Sequence, residues 1–304
     1  MSHLPRYELG AWPTPVRKLD AVSTALAVDV WAKLEEECGT WGGNKVRKLE
    51  YILGRAREDG IRRLGAFGLG TSNWVGAFVY HASKEGFHAE VSLAGPVPHA
   101  FRALYERCAV RVHAIPRALL PLYVLRSRYA PDRGGARLLP AGGSGTEGDL
   151  GTLGTGREIA AAVLDGSLPE PRRAFVAVGT AGTAAGVALG MAAGGLHVPL
   201  VCVRVTPRPY GTVGLVRRRI AALRVAAGLE SAPLSPLEAD DRFVKPGYGD
   251  PNPASLEAAA LARSDGLELD GTYAAKAFAS LVAHARARAE GPLLFVHTSP
   301  GPVP

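Results

Sequence analysis

Short, continuously apolar runs alternate with longer helical stretches along most of the chain, and this alternation limits most strongly what the chain can fold into. Runs such as AFVAV (174–178) and LVCVRV (200–205) have no solvent-facing side, as strands buried on both faces require. Strands are expected at 63–68, 89–94, 110–113, 136–139, 173–178, 198–205 and 292–297. Helices are expected around 44–59, 73–85, 98–108, 116–128, 149–164, 183–194, 212–228, 253–265 and 272–288. Strand followed by helix, many times over, predicts an α/β fold of parallel sheets covered on both faces. A chain of 304 residues can build two modest lobes of this kind or one large one. The Pro-rich patch SLPEPRR (167–173) and the Gly-rich stretch 141–156 are the best boundary signals. They predict a small α/β domain over 52–165 and a large one built from 1–51 and 166–304.

The composition narrows the function. The formal charge is +7, but Arg217, Arg218 and Arg219 are the only run of three basic residues. Dispersed arginines argue against a nucleic-acid footprint and suit an anionic substrate or cofactor. Cys38, Cys108 and Cys202 lie far apart, so three separate thiols are expected rather than a zinc site or a disulfide framework. The histidines show no metal-ligand spacing, and no metal site is expected. No apolar run is long enough to cross a bilayer, and MSHLPRYELG does not resemble a signal peptide. A cytoplasmic location is the simplest expectation.

Three segments carry the chemistry. In GTWGGNKVRKLEY (39–51), Gly42, Gly43 and Asn44 can adopt restricted backbone angles, and Lys45 follows as a helix begins. A lysine at a helix start opposes the helix dipole, which can lower its pKa for Schiff-base or proton-transfer work. A solvated lysine at a helix N-terminus fits the same residues. Lys48 and Glu50 are expected on an exposed face of that helix.

The second segment is VAVGTAGTAAGVALG (176–190), in which a strand runs through Gly179, Thr180, Ala181, Gly182 and Thr183 into a helix. Free N–H groups and hydroxyls there make an anion cradle. It has neither the GK[ST] of a P-loop nor the spacing of a dinucleotide fingerprint, so a lone phosphate fits best; a bare strand–helix turn is the alternative. The third is GLGTSNWVGAF (68–78), where Thr71, Ser72 and Asn73 either cap a helix or face a substrate carboxylate. A Schiff-base lysine, a phosphate loop and a carboxylate-binding helix start are the parts needed for pyridoxal-phosphate amino-acid chemistry.

In order along the chain, GGNKVRKLEY, TSN, PAGGSGTEGDLG, VGTAGTAAG, PGYG, TYAAKAFASL and VHTSPG resemble the two-lobed fold-type II pyridoxal-phosphate (PLP) enzymes, which are tryptophan synthase β-like. The closest resemblance is to the D-cysteine desulfhydrase and 1-aminocyclopropane-1-carboxylate (ACC) deaminase group, over nearly the whole chain. The resemblance implies that Lys45 holds the cofactor and moves the α-proton. It implies that Asn73 bonds the phenolic oxygen, and that Ser72 binds the substrate carboxylate or transfers a proton. It assigns the phosphate to Thr180, Ala181, Gly182 and Thr183, next to Gly179. Tyr248 and Tyr273 match active-site tyrosines, although a tyrosine in a Gly-rich loop can equally be a packing residue. Thr298 matches a residue beside the pyridine nitrogen, and His297 is expected to be structural.

Three positions depart from that pattern. Ala274 stands where ACC deaminase has a glutamate, Trp74 where glutamine or histidine is common, and the terminal motif reads His297-Thr298-Ser299-Pro300. Losing the glutamate counts against ring opening, and Trp74 is expected to narrow or reshape the substrate pocket. The implied activity is a lyase that eliminates a β-substituent from D-cysteine or a related small amino acid, as a homodimer. ACC ring opening is the alternative, with β-replacement, racemisation or a catalytically altered PLP-binding homologue behind it. A plain nucleotide-binding α/β enzyme, which would need no cofactor lysine, is the remaining reading.

Overall fold

The apolar runs become strands and the stretches between them helices in the computed structural model, which describes residues 5–129, 136–247 and 249–300. The first half contains β1 (Val16–Lys18), α1 (Asp20–Leu26), β2 (Val30–Leu34), α2 (Asn44–Glu58), β3 (Arg63–Leu69), α3 (Asn73–Lys84), β4 (His88–Ala94), α4 (His99–Arg107), β5 (Arg111–Ile115), α5 (Leu120–Tyr129) and β6 (Arg137–Leu138). The second half contains α6 (Thr146–Leu164), β7 (Arg173–Val178), α7 (Gly182–Ala193), β8 (Leu200–Arg204), α8 (Val213–Ala227), β9 (Leu237–Asp240), α9 (Pro253–Arg263), α10 (Ala274–Arg288) and β10 (Leu293–His297).

The strands form two sheets, ordered β1-β2-β10-β7-β8-β9 and β5-β4-β3-β6. Among the described residues, only the β1–β2 pairing is antiparallel. The larger sheet is covered on both faces, as its uninterrupted apolar strands require. Val22, Phe278, Leu281 and Phe295 belong to one core, with the Phe278 and Phe295 ring centroids 5.0 Å apart. Val176, Val187, Leu200 and Ile220 belong to the core that includes α7 and α8. The smaller sheet has its own core, with Leu64, Phe78, Val91 and Trp41. Burying each such Leu or Phe contributes about 1.5–3 kcal/mol. The helix α6 follows the smaller sheet in sequence and packs along both α2 and α7.

The seven expected strands are all present, with small shifts at their ends. Four elements have no counterpart in the sequence reading: β1, α1, β2 and β9. β1 is only VRK, β9 is LEAD at a sheet edge, and β2, VWAKL, carries a lysine as its fourth residue. That lysine, Lys33, is buried because its Nζ lies 2.6 Å from Glu158 Oε2.

Lys48 and Glu50 correct the sequence reading, because neither is on an exposed face: they are 0% and 2% accessible. From Asn44 to Gly54 α2 has no exposed residue, so it offers no solvent face there. The N-terminal segment folds over Glu50, whose carboxylate accepts from Arg6 Nε, Leu9 N, Gly10 N and Trp12 Nε1 at 2.8–3.4 Å. Arg47, one position before Lys48, is held by Glu35 and Glu158 at 2.6–2.9 Å, with Trp12 stacked 3.7 Å from its guanidinium. Buried charges of this kind persist only when fully paired.

Candidate active site

The glycine turn before Lys45 has a steric cause. Gly43 has φ +96°, and a Cβ there would stand 2.6 Å from the Ser299 carbonyl oxygen. Only glycine lets the start of α2 approach the end of β10 so closely. This approach puts Lys45 in the same cavity as Thr298 and Ser299. Lys45 is half-buried. Burial pulls its pKa down to about 8, while the carboxylates of Asp270 and Asp149 act in the opposite sense. The lowered basicity expected from the helix start is therefore present, with desolvation rather than the dipole as its main cause.

The cavity has a volume of about 330 Å³ and lies between the two sheets' helices and loops. Lys45, Ser72, Asn73, Gly179, Thr180, Ala181, Thr183, Tyr273 and Thr298 all face it, so residues far apart in sequence meet in one place. Gly182 does not line the wall. It sits behind the loop, where a Cβ would come within 1.9 Å of Asp149 Oδ1. Tyr248 lies outside the described residues.

The loop from β7 into α7 has the features of an anion site. Ala181 holds φ +71°, a left-handed conformation that an alanine adopts only when its surroundings impose it. The first backbone bond into α7 from this loop is Ala185 N to Ala181 O, so the preceding N–H groups have no helical acceptor. They point, with the positive end of the helix dipole, at whatever occupies the loop. Thr183 Oγ1 accepts from Asn44 Nδ2 at 2.6 Å, which ties the loop to the lysine turn.

A buried polar network, missed in the sequence reading, supports the loop from beneath. Arg219 of α8 donates to Thr180 O at 2.7 Å, Asp149 Oδ2 at 2.9 Å and Ser144 O at 3.1 Å. The Ser144 and Thr180 hydroxyls are 2.6 Å apart. Lys48 Nζ donates to Ser144 Oγ at 2.7 Å and lies 3.6 Å from Asp149 Oδ1. Burial lowers the Lys48 pKa to about 7. Asp149 opposes the shift, and the charges of Lys45 and Arg219 add to it. Arg219, joined by Lys48 when that is protonated, sets positive charge under the loop, and Asp149 between them offsets part of it.

Ser72 caps α3, accepting from Val75 N at 3.4 Å, and it also lines the cavity beside Asn73. Trp74 lies on the cavity wall but is only 3% accessible, and its Nε1 has no partner among the described residues. Ala274 is buried and does not line the cavity.

Asp270 is the carboxylate that does face the cavity. It accepts from Thr272 N, Tyr273 N, Ala274 N and Ser299 Oγ, so it anchors the start of α10. An Asp just before a helical run is a capping signal, and the sequence offered it in DGTYAAK. Tyr210 and Phe67 also line the cavity, and no local motif marks them. His297 is buried, its Nδ1 is 2.5 Å from Glu36 Oε1, and its ring stacks on Phe295, in keeping with a structural residue.

A lysine of lowered pKa and an anion cradle backed by the Arg219–Asp149–Lys48 network share one cavity. This donor set fits an aldehyde cofactor with a single phosphate: Lys45 would hold its carbonyl end and the β7–α7 loop its phosphate.

Comparison with known proteins agrees. A family model described as "Pyridoxal-phosphate dependent enzyme" matches residues 7–299. D-cysteine desulfhydrases from Klebsiella pneumoniae and Salmonella paratyphi C are 31% and 30% identical, over 99% of this chain and 96% of theirs. The crystal structure of an ACC deaminase homologue superposes with a TM-score of 0.84 at 25% identity, covering 98% of this chain and 92% of that one. A fungal L-serine ammonia-lyase from Rhizomucor miehei shares the fold, with a TM-score of 0.67 at 16% identity, over 96% of this chain and 94% of its own. On the family match and the full-length relatives together, the chain belongs to the pyridoxal-phosphate-dependent enzymes of fold type II.

Proposed function

We propose that the protein is a PLP-dependent lyase that removes a β-substituent from D-cysteine or a related small amino acid. The products are a 2-oxo acid, ammonia and the leaving group. The observation that carries this reading is the single cavity shared by Lys45, the β7–α7 loop and the Ser72–Asn73 helix start. The names of the full-length relatives support the choice of substrate.

The bound cofactor supplies an electron sink that lets the Cα–H bond break. Thr180, Ala181 and Thr183, next to Gly179, would hold the phosphate at the N-terminus of α7, with Gly182 letting the loop pack on Asp149 behind it. Asn73 would bond the cofactor's phenolic oxygen, and Thr298 would serve its ring nitrogen; both line the cavity. Ser72 and the start of α3 bind the substrate carboxylate. Lys45 would hold the cofactor and would serve as the base for the proton at Cα; burial that lowers its pKa to about 8 leaves a neutral fraction near physiological pH. The Cβ–S bond then breaks with its electron pair on sulfur. Tyr273, which lines the cavity, would assist Lys45 in proton transfer, and the resemblance gives Tyr248 a place beside it. The remaining enamine takes up water and releases ammonia. Ring opening of ACC is the second reading, favoured by the close superposition on the ACC deaminase homologue. The buried Ala274 after Tyr273, in place of a carboxylate, weighs against it.

The two sheets support a division into a smaller lobe over 52–165 and a larger one from 1–51 and 166–304. The resemblance to the desulfhydrases supports a homodimer. The three free cysteines suit a reducing compartment, in line with the cytoplasm. No helix among the described residues is long and apolar enough to cross a membrane.

The test is the absorption spectrum of the purified protein beside Lys45→Ala, before and after borohydride, followed by 2-oxo acid release from D-cysteine. A near-visible band fixed by borohydride only in the wild type, with turnover at least about 10³-fold faster than in the variant, supports the assignment. A protein that neither carries nor takes up PLP refutes it. A bound cofactor with no turnover of any small amino acid leaves a binding protein instead.

A further inference from the structure

Arg219 reaches the β7–α7 loop from behind. It belongs to α8, which Val216 and Ile220 anchor in the core shared with α7. Its side chain is 17% accessible and does not line the cavity. Each of its three nitrogens donates to a different segment: Nε to Thr180 O in the loop, Nη1 to Asp149 Oδ2 in the first turn of α6, and Nη2 to Ser144 O just before α6. A planar fork of this kind fixes direction as well as distance.

The bond to Thr180 O decides which way one peptide faces. A trans peptide is planar, so its C=O and N–H point in opposite directions. The Thr180 carbonyl points at Arg219, behind the loop. The Ala181 N–H therefore points the other way, towards the cavity that Thr180 and Ala181 line, and it donates to no backbone carbonyl among the described residues. This orientation is held against a local preference. Ala181 has φ +71°, in the left-handed region that an alanine avoids. Turning the Thr180–Ala181 peptide over would return that φ to a negative value and relieve the strain. It would also swing the N–H away from the cavity and aim the carbonyl oxygen, a partial negative charge, at any anion in the loop. The charge of Arg219 is offset by Asp149, 2.9 Å away, so direction is what the guanidinium adds.

We infer that Arg219 is a positioning residue that keeps the Thr180–Ala181 peptide turned with its N–H towards the cofactor phosphate. The inference rests on the PLP-enzyme reading and gives a part in it to a residue outside the cavity. Asp149 serves the same end: by accepting from Nη1 it aims Nε at the Thr180 carbonyl.

The test compares PLP with pyridoxal, which carries the same aldehyde and no phosphate. Each is titrated back into full-length protein stripped of cofactor: wild type, Arg219→Lys, Ala181→Gly and the double variant. Arg219→Lys keeps the charge and loses the fork. It is expected to bind PLP about tenfold more weakly, as the loss of one N–H to a charged acceptor implies, with pyridoxal binding unchanged. A general loss of stability would weaken both ligands alike and leave their ratio where it was. Glycine at position 181 removes the left-handed penalty, so in that background Arg219→Lys is expected to cost only about threefold. Asp149→Ala is a second variant, which raises the positive charge under the loop. A role through direction predicts weaker PLP binding in it, and a role through charge predicts tighter binding. A wild-type ratio in Arg219→Lys, the same loss with glycine as with alanine at position 181, or tighter PLP binding in Asp149→Ala overturns the inference. The PLP-enzyme reading fails on a different result, namely no uptake of PLP by the wild type.

Discussion

The Ser299 hydroxyl donates to Asp270 at 2.5 Å, joining the segment after β10 to the turn that starts α10. The same carboxylate accepts the N–H groups of Thr272, Tyr273 and Ala274 at 3.0, 2.8 and 3.3 Å. One side chain therefore fixes both Tyr273 and the neighbour of Thr298, and both of those residues face the cavity. Asp270→Ala is expected to lower stability by about 1–2 kcal/mol through the lost cap. It should also weaken cofactor binding, because Tyr273 and Thr298 lose their common anchor. Urea unfolding together with a cofactor titration checks this. Unchanged affinity in a destabilised variant would make Asp270 a cap and nothing more.

Gly43 gives a sharper steric prediction. Its φ is +96°, and the Ser299 carbonyl oxygen lies 2.6 Å from where an alanine methyl would stand, so there is no room for one. Gly43→Ala is expected to cost about 1–3 kcal/mol and to shift Lys45 out of register with the cofactor. The borohydride-fixed band should weaken more than the loss of stability alone explains. A variant with wild-type absorbance and activity would mean that the turn can open without moving the lysine.

Lys48 gives a pH dependence. Its pKa falls from 10.5 to about 7 on folding, chiefly through burial. Between those values the unfolded chain holds more protons than the folded one, so the stability of the cofactor-free protein rises with pH across that range. Below pH 7 both states are protonated and the cost of burying the charge is carried in full. Lys45, lowered to about 8, contributes in the same direction. The gain in urea midpoint from pH 7 to pH 9 should therefore be smaller in Lys48→Met than in the wild type. An equal gain would place the titration elsewhere.

What could be read from the sequence was local. The glycine turn before Lys45, the β7–α7 loop and the Ser72 cap are contiguous motifs whose geometry follows from their own residues. The buried strands were legible because they are apolar throughout. Lys48 and Glu50 were misread because helical periodicity reports a polar position, not whether a distant residue will neutralise it. Asp149 and Ser144 meet Lys48, and residues 6–12 meet Glu50, only after folding. Arg219, Tyr210 and Arg117 reach the cavity or its loop from elements that carry no motif at all. β2 was hidden for a related reason, since the partner that lets Lys33 sit inside a sheet is Glu158, far along the chain.

The strand order carries a consequence in time. β10, the last strand described, lies between β2 and β7 in the middle of the larger sheet. During synthesis β2 and β7 leave the ribosome with the place between them unfilled. Their apolar edges must wait for a strand made more than a hundred residues after β7. Thr298 and Ser299 arrive with it, so the lysine end of the site stays incomplete until then. A nascent chain halted before β10 should therefore expose sheet edges to chaperones and bind no cofactor, even with Lys45 and the phosphate loop already made.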